Sequence, residues 1–177
     1  MIEQAVRRTA AGPGEHRFGV SAGDELPFAD GSFDLVVALG YIEYFEDPAP
    51  ALAELRRVMA PGAVLILQSF KWDLLGRARH LLDSATGRAA ARRERLPPDW
   101  VDRKYSGREL DRLAARHDFE RVAATFNNFL LLPEVARRHW PSLYMSLSDA
   151  VERAAPRLFG FSAVNYIGKY VLRKAAG

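Results

Sequence analysis

The first third of the chain alternates between apolar runs and an amphipathic stretch. FDLVVAL, residues 33–39, is an almost continuous apolar run with adjacent valines, and AVLILQS, residues 63–69, is a second one. Runs of this kind are typical of parallel strands that are covered on both faces. Between them, apolar residues recur at helical spacing: Leu52, Leu55, Val58 and Met59. The pattern predicts a right-handed, parallel strand–helix–strand unit.

Polar residues and prolines mark the ends of these elements. Asp47 is suited to an N-cap, with Pro48 at the first helical position. Pro61-Gly62 is predicted to end the helix, and Asp30-Gly31 predicts a turn before the first strand. Upstream, residues 1–11 are expected to form a short helix, and HRFGV, residues 16–20, a weak strand.

The second half of the chain predicts further helices and two closing strands. Ser106 and Glu109 have the spacing of a capping box at the start of a helix. ERVAATF, residues 120–126, and YIGKYVLR, residues 166–173, are predicted strands. Residues 71–95 carry a helical apolar stripe, and two more helices are expected over 133–140 and 142–155, separated by Pro141. Three residues are expected on the buried face of the last helix: Leu143, Leu147 and Val151.

These elements together predict one α/β domain over residues 1–177, doubly wound, with helical insertions or a lid at 71–105 and 127–160. Ligands of such sheets lie at the carboxyl ends of the strands. The loops after Val20, Leu39 and Ser69 are therefore the expected functional loops.

Composition narrows the possible chemistry. The 177 residues include no cysteine, which excludes disulfides, thiolate nucleophiles and thiolate metal sites. The four histidines lack metal-ligand spacing with one another or with carboxylates, so no metal site is predicted. No apolar run reaches the length that a membrane-spanning helix needs, and the start MIEQAVRR has no apolar targeting core, so a cytoplasmic location is expected.

Charge is unevenly distributed, although the net charge is only +3. Residues 77–108 hold nine Arg or Lys against four Asp or Glu. This run is compatible with an anionic substrate, a membrane surface or simply a solvated helical face. It lacks interleaved aromatic residues, and no base-holding motif follows the first apolar strand, so no nucleic-acid partner is predicted.

The order of short motifs over residues 26–62 resembles that of class I S-adenosylmethionine-dependent methyltransferases of the small-molecule, type 11 kind. The motifs that carry the resemblance are Leu26-Pro27-Phe28, Asp30-Gly31-Ser32-Phe33-Asp34, Ile42-Glu43-Tyr44 and Met59-Ala60-Pro61-Gly62. The resemblance implies a Rossmann-like fold with a mainly parallel sheet, an antiparallel C-terminal strand, and methyl transfer from S-adenosylmethionine to a small-molecule acceptor that is apolar or anionic.

The family pattern also contains a first strand, a glycine-rich turn and a second strand, and these have no counterpart here. Gly12-Pro13-Gly14 follows a predicted helix rather than a strand. The resemblance therefore implies an N-terminally truncated form whose binding of the cofactor and activity are incomplete alone. It also implies that the first apolar strand has an exposed edge, through which a second copy or a partner chain would pair. The alternative function is a non-catalytic, methyltransferase-like remnant that acts as an interaction or dimerisation subunit.

The resemblance assigns candidate site residues. Ala22, Gly23 and Asp24 would lie beside the adenine of the cofactor, and Leu39 and Gly40 beside its methionine part. Tyr41 and Tyr44 are the catalytic candidates, although a phenol is a poor base at neutral pH and packing is the competing interpretation. The expected substrate pocket consists of Tyr44, Phe70 and Trp72.

Overall fold

The computed structural model describes residues 2–9, 15–70, 84–85, 103–129, 139–154 and 163–173. The elements in chain order are α1 (Ile2–Thr9), β1 (Phe33–Ala38), a 3-10 turn (Ile42–Tyr44), α2 (Ala49–Val58), β2 (Met59–Phe70), α3 (Gly107–Ala115), β3 (Phe119–Phe129), α4 (Pro141–Ala154) and β4 (Ala163–Leu172). The expected helix over 133–140 and the stripe over 71–95 lie almost wholly outside the described residues.

The four strands form one mixed sheet in the order β1-β2-β4-β3. β1 and β2 are parallel, whereas β4 runs antiparallel to both of its neighbours. This confirms the parallel strand–helix–strand unit and the antiparallel C-terminal strand. The fold is α/β and Rossmann-like, and the predicted strands over 120–126 and 166–173 are present as parts of β3 and β4.

The core lies between the sheet and helices α2 and α3. Leu65 and Leu67 of β2 are fully buried, as are Leu52 of α2 and Leu110 of α3. The apolar face predicted for α2 is confirmed, since Leu52, Leu55, Val58 and Met59 are all buried. Burial of these faces, rather than helix propensity alone, holds the short helices in place.

The boundaries of α2 differ slightly from those predicted. Asp47 accepts a hydrogen bond from the Ala49 amide at 3.0 Å, so its side chain does cap the helix, which begins at Ala49. Pro61-Gly62 does not end the helix, because β2 already begins at Met59. The two residues lie instead in an irregular stretch of β2, where pairing with β1 shifts register and Gly62 has a φ of 88°.

Three sequence predictions are wrong in the described structure. HRFGV is not a strand: residues 16–20 are exposed and lie beside no strand partner there. β1 is not covered on both faces, since Leu35, Val37 and Leu39 are 52–56% exposed. In α4, Tyr144 is the buried residue, while Leu143 and Leu147 are exposed and Val151 is only half-buried.

α3 is held against β4 by a shared acceptor. The Tyr166 and Tyr170 hydroxyls both donate to Oδ1 of Asp111, each at 2.9 Å. Gly107 permits the close approach, because a Cβ there would lie 2.7 Å from the Tyr166 ring. The predicted capping box is confirmed, with Ser106 and Glu109 bonded reciprocally.

Candidate functional site

The candidate site begins with a tight turn that precedes β1. The Glu25 amide donates to the Ala22 carbonyl at 3.3 Å, which closes a turn containing Gly23 and Asp24. Ala22 and Asp24 are exposed, and Gly23 is half-buried. The turn thus presents a small apolar surface and a carboxylate to solvent, on a backbone that the Glu25–Ala22 hydrogen bond holds in place.

Tyr41, in the loop after β1, contacts this turn directly. Its hydroxyl donates to the Gly23 carbonyl at 2.5 Å. Its ring meets Phe45 edge-on, with 5.1 Å between centroids. A Cβ at Gly23 would lie 2.6 Å from Phe45 and 2.8 Å from Tyr41, so only glycine fits beneath the two rings. The structure therefore brings the turn at 22–24 together with the loop after β1.

The pKa of Tyr41 is raised to about 12 by burial and by the negative charges of Asp24 and Glu54. A phenol with this pKa keeps its proton at neutral pH, and that proton is engaged with Gly23. Tyr41 therefore serves as a hydrogen-bond donor to the turn, and a catalytic role for Tyr41 stays a prediction, as it does for Tyr44.

Gly40 changes the direction of the backbone at the end of β1. Its φ of 59° lies in the left-handed region that favours glycine. Among the described residues, a Cβ there would have only the Glu43 Oε1 atom within 4 Å, at 3.9 Å. In that part of the structure the Gly40 backbone is therefore open to close approach, next to the exposed Leu39.

Two residues of α2 hold the segment that joins the turn to β1. Glu54 accepts from the Leu26 amide at 2.7 Å, and from both Nε and Nη2 of Arg57, at 2.8 and 2.6 Å. Arg57 in turn donates to the carbonyls of Leu26 and Phe28, at 3.1 and 2.8 Å, and pairs with Asp30 at 2.6 Å. We call Glu54 and Arg57 the α2 clamp.

The charges of the α2 clamp are stabilised by each other. Hydrogen bonds from Arg57 and from the Leu26 amide lower the pKa of Glu54 to about 2. The pKa of Arg57 is raised, chiefly by its hydrogen bonds to Glu54 and Asp30. Both side chains therefore stay ionised across the physiological range and fix the loop over 26–30.

A second segment meets the carboxyl ends of β1 and β2. The Arg103 amide donates to the Glu43 carbonyl, and the Tyr105 amide donates to the Phe70 carbonyl, each at 3.0 Å. The Arg103 guanidinium reaches the Glu46 carbonyl at 3.0 Å. Glu43 itself is fully buried in the 3-10 turn. Residues 103–105 therefore close one side of the edge at which the candidate residues lie.

The remaining candidates have separate positions. Tyr44 is 47% exposed at the end of the 3-10 turn, and Phe70 is half-buried at the end of β2. Trp72 lies outside the described residues. The expected pocket of Tyr44, Phe70 and Trp72 therefore stays a prediction, as do the ligand roles of Ala22, Gly23, Asp24, Leu39 and Gly40.

Sequence reasoning missed the α2 clamp and the segment over 103–105. Glu54 and Arg57 lie outside the apolar positions from which the buried face of α2 was predicted. Glu54 and Arg57 are three positions apart, and this spacing allows an ion pair on one turn of a helix. It is the one feature of the sequence that could have indicated the α2 clamp. Nothing in the sequence indicates that this pair also reaches Leu26, Phe28 and Asp30.

Within the described ranges, no three of the His, Asp and Glu side chains are grouped so that they could hold a metal ion. The described helices include none with both the length and the apolar character needed to cross a membrane.

Comparison with known proteins agrees with the fold and with the motifs of the sequence. The family model described as "Methyltransferase domain" matches residues 1–67. Demethylmenaquinone methyltransferase of Thermus thermophilus is 42% identical over 71 residues, which are 40% of this chain and 32% of that protein. Norajmaline N-methyltransferase of Rauvolfia serpentina is 38% identical over 58 residues, which are 32% of this chain and 20% of that protein.

A crystal structure of a SAM-dependent methyltransferase from Methanosarcina mazei has the same fold. It aligns with a TM-score of 0.62 at 20% identity and covers 97% of this chain and 75% of that one. The sequence match over residues 1–67 and the shared fold make this chain similar to the class I S-adenosylmethionine-dependent methyltransferases. It spans only about a fifth to a third of the length of the curated relatives it matches.

Proposed function

We propose that this chain takes part in methyl transfer from S-adenosylmethionine to a small-molecule acceptor. The observation that supports this most is the hydrogen bond from Tyr41 to Gly23. It joins the two segments that the family resemblance assigns to the cofactor, namely residues 22–24 and residues 39–40. Because both segments lie at the carboxyl end of β1, they are in the expected ligand-binding position of an α/β sheet.

The residues present fit the cofactor in chemistry. Asp24 is an exposed carboxylate, and a carboxylate can accept a hydrogen bond that the amino group of adenine donates. Ala22 and Leu39 offer apolar surface beside it, and Gly40 leaves its backbone open to close approach. We propose that Asp24, Ala22 and Leu39 hold the adenosine part and that Gly40 borders the methionine part.

S-adenosylmethionine supplies an activated methyl group when it is bound. The chain's own residues then have to orient the acceptor and exclude water, and such effects supply much of the acceleration in reactions of this kind. Tyr44 is exposed beside this edge, and we propose that its hydroxyl orients the acceptor, with Phe70 and Trp72 forming the wall of the pocket. An acceptor of small size is favoured because two relatives are named for norajmaline and demethylmenaquinone.

The test is a calorimetric titration of the 177-residue chain with S-adenosylhomocysteine, followed by assay of labelled methyl transfer to a set of tertiary-amine precursors and quinols. Binding that is lost in Asp24→Ala, but kept in Glu15→Ala, supports the proposed site. Glu15 is a suitable control because it is an exposed acidic residue that, within the described ranges, pairs with the nearby Arg17. Absence of binding at millimolar ligand would refute the proposal for this chain alone.

A second candidate function is that of a non-catalytic subunit that associates through β1. The exposure of Leu35, Val37 and Leu39 favours it, because adjacent apolar side chains on one face of an edge strand are typical of contact surfaces. Analytical ultracentrifugation at several protein concentrations measures the oligomeric state and so distinguishes the non-catalytic subunit from the methyltransferase. A tight dimer that Val37→Lys disrupts, without any affinity for S-adenosylhomocysteine, would favour the subunit.

A further inference from the structure

A cleft lies between α3 and the segment over 103–105. Its cavity has a volume of about 190 Å³. The described lining includes four cationic side chains, one tyrosine and one carboxylate: Arg103, Lys104, Arg112, Arg116, Tyr105 and Glu109. We call it the arginine cleft. Its cations come from two separate parts of the structure, the loop before α3 and the outer face of that helix.

Positive charge in the arginine cleft exceeds negative charge. Glu109 is the single carboxylate of the described lining, and its Oε2 is already held by the amide and hydroxyl of Ser106, at 2.8 and 2.7 Å. Those hydrogen bonds lower the pKa of Glu109, so it contributes one negative charge. Among the described residues, neither Arg112 nor Arg116 forms an ion pair with a carboxylate. Guanidinium groups that face one cavity without such partners attract an anion.

Tyr105 adds a polar atom that lacks a partner. The residue is only 4% exposed, and its hydroxyl makes no hydrogen bond within the described part of the structure. The Arg103 guanidinium lies over its ring, 5.6 Å from the centroid. A buried hydroxyl without a partner is unfavourable, and such groups in proteins are usually satisfied by a ligand or an ordered water.

We propose that the arginine cleft binds the phosphate group of a phosphorylated ligand. Arginine's planar fork fits two oxygens of a phosphate at once, and Arg112 and Arg116 lie one turn apart on the same helix face. Complete small ligands occupy cavities of roughly 300–1,000 Å³, so a cavity of about 190 Å³ suits the anionic group rather than the whole molecule.

The phosphate belongs either to a soluble metabolite or to a lipid headgroup, and both carry the same chemistry. The proposal concerns binding alone and is independent of methyl transfer. The segment over 103–105 also contacts the region of the proposed site, since the Arg103 amide donates to Glu43 in the 3-10 turn and the Tyr105 amide donates to Phe70 at the end of β2.

The experiment is a calorimetric titration of the full chain, without cofactor, with sodium pyrophosphate in about 50 mM salt. A parallel arm measures co-sedimentation with phosphatidylcholine vesicles, with and without phosphatidic acid. Saturable binding of pyrophosphate without vesicle binding indicates a soluble ligand. Vesicle binding that requires phosphatidic acid indicates a lipid headgroup. Either result supports the proposal, and binding in neither arm overturns it.

Arg112→Gln and Arg108→Gln form a matched pair that separates a site from general charge. Both residues are exposed on α3, but only Arg112 lines the cleft. We expect Arg112→Gln to weaken binding about tenfold and Arg108→Gln less than about twofold. Equal weakening by the two variants would mean that the anion is attracted by the basic surface as a whole, and the proposal would then be wrong. Circular dichroism of both variants checks that the fold is kept.

Discussion

The hydroxyl of Tyr41 donates a hydrogen bond to the carbonyl of Gly23 at 2.5 Å, across 18 positions of the sequence. This contact connects a turn before β1 with the loop that follows it. The contact therefore holds the turn and the loop against each other. Burial of the Tyr41 ring, together with the negative charges of Asp24 and Glu54, raises the pKa of its hydroxyl to about 12, so the proton in this contact is retained at neutral pH.

Replacing Tyr41 by phenylalanine should loosen the turn without changing the fold. The ring and its contact with Phe45 remain, while the Gly23 carbonyl loses its donor. We expect the affinity for S-adenosylhomocysteine to fall about five- to tenfold, which corresponds to one hydrogen bond. Calorimetry measures it, and Tyr44→Phe is the control because Tyr44 lies outside the proposed cofactor contacts. An unchanged affinity in Tyr41→Phe would mean that the hydrogen bond from Tyr41 to Gly23 does not contribute to cofactor binding.

A methyl group at Gly23 should destabilise the protein. The Cβ of Gly23→Ala would approach Phe45 and Tyr41 to within 2.6 and 2.8 Å, so at least one of the two rings would have to shift. We expect a loss of about 1–3 kcal/mol in the free energy of unfolding, measured by urea denaturation. Gly19→Ala is the matched control, since a Cβ there would have no atom within 4 Å. Equal stability of the two variants would contradict this packing.

Acid should release the loop over 26–30 before it unfolds the domain. The pKa of Glu54 is lowered from 4.5 to about 2, so the stabilising contribution of its ionised form is fully present above about pH 4.5. It is lost progressively as the pH falls towards 2. The chemical shift of the Leu26 amide, which donates to Glu54, should report the change in an NMR titration. In Glu54→Gln the pH dependence of the Leu26 amide shift should vanish. If it persists, a group other than Glu54 causes it.

Asp111 should stabilise the protein through two tyrosines at once. Its Oδ1 accepts from both Tyr166 and Tyr170, whose hydroxyls lie against β3 and α3. Asp111→Ala leaves both hydroxyls without this acceptor, and we expect a loss of about 2–4 kcal/mol in the free energy of unfolding. Asp111→Asn keeps an acceptor oxygen and should lose less than half as much. Chemical denaturation of the three proteins compares them directly.

The sequence predicted the parts of the fold that depend on local patterns. The spacing of Leu52, Leu55 and Val58 identified the buried face of α2, and Ser106 with Glu109 identified the start of α3. These signals are local because a helix face and a cap involve residues three or four positions apart. For the same reason, Asp47 was recognised as a capping residue although the helix begins one residue later than expected.

Long-range relationships could not be predicted in this way. The apolar run of β1 indicated burial on both faces, but burial depends on what packs against a strand, and Val37 is 52% exposed. HRFGV has the composition of a weak strand, yet a strand also needs a hydrogen-bonding neighbour. The reach of Arg57 to Phe28 and Asp30 depends on how α2 lies against the preceding loop, which no spacing reveals.

The order of the sheet has a consequence for how the chain is assembled during synthesis. β3 leaves the ribosome before β4, but it has no strand partner in the described sheet until β4 arrives and inserts between it and β2. Val64 must then pair with Val171, which is translated long afterwards. Until that moment one edge of β2 is open, and loop closure of this length slows folding. Among the described strands, mispairing is therefore the greatest risk, and chaperone protection the most useful, just before β4 emerges.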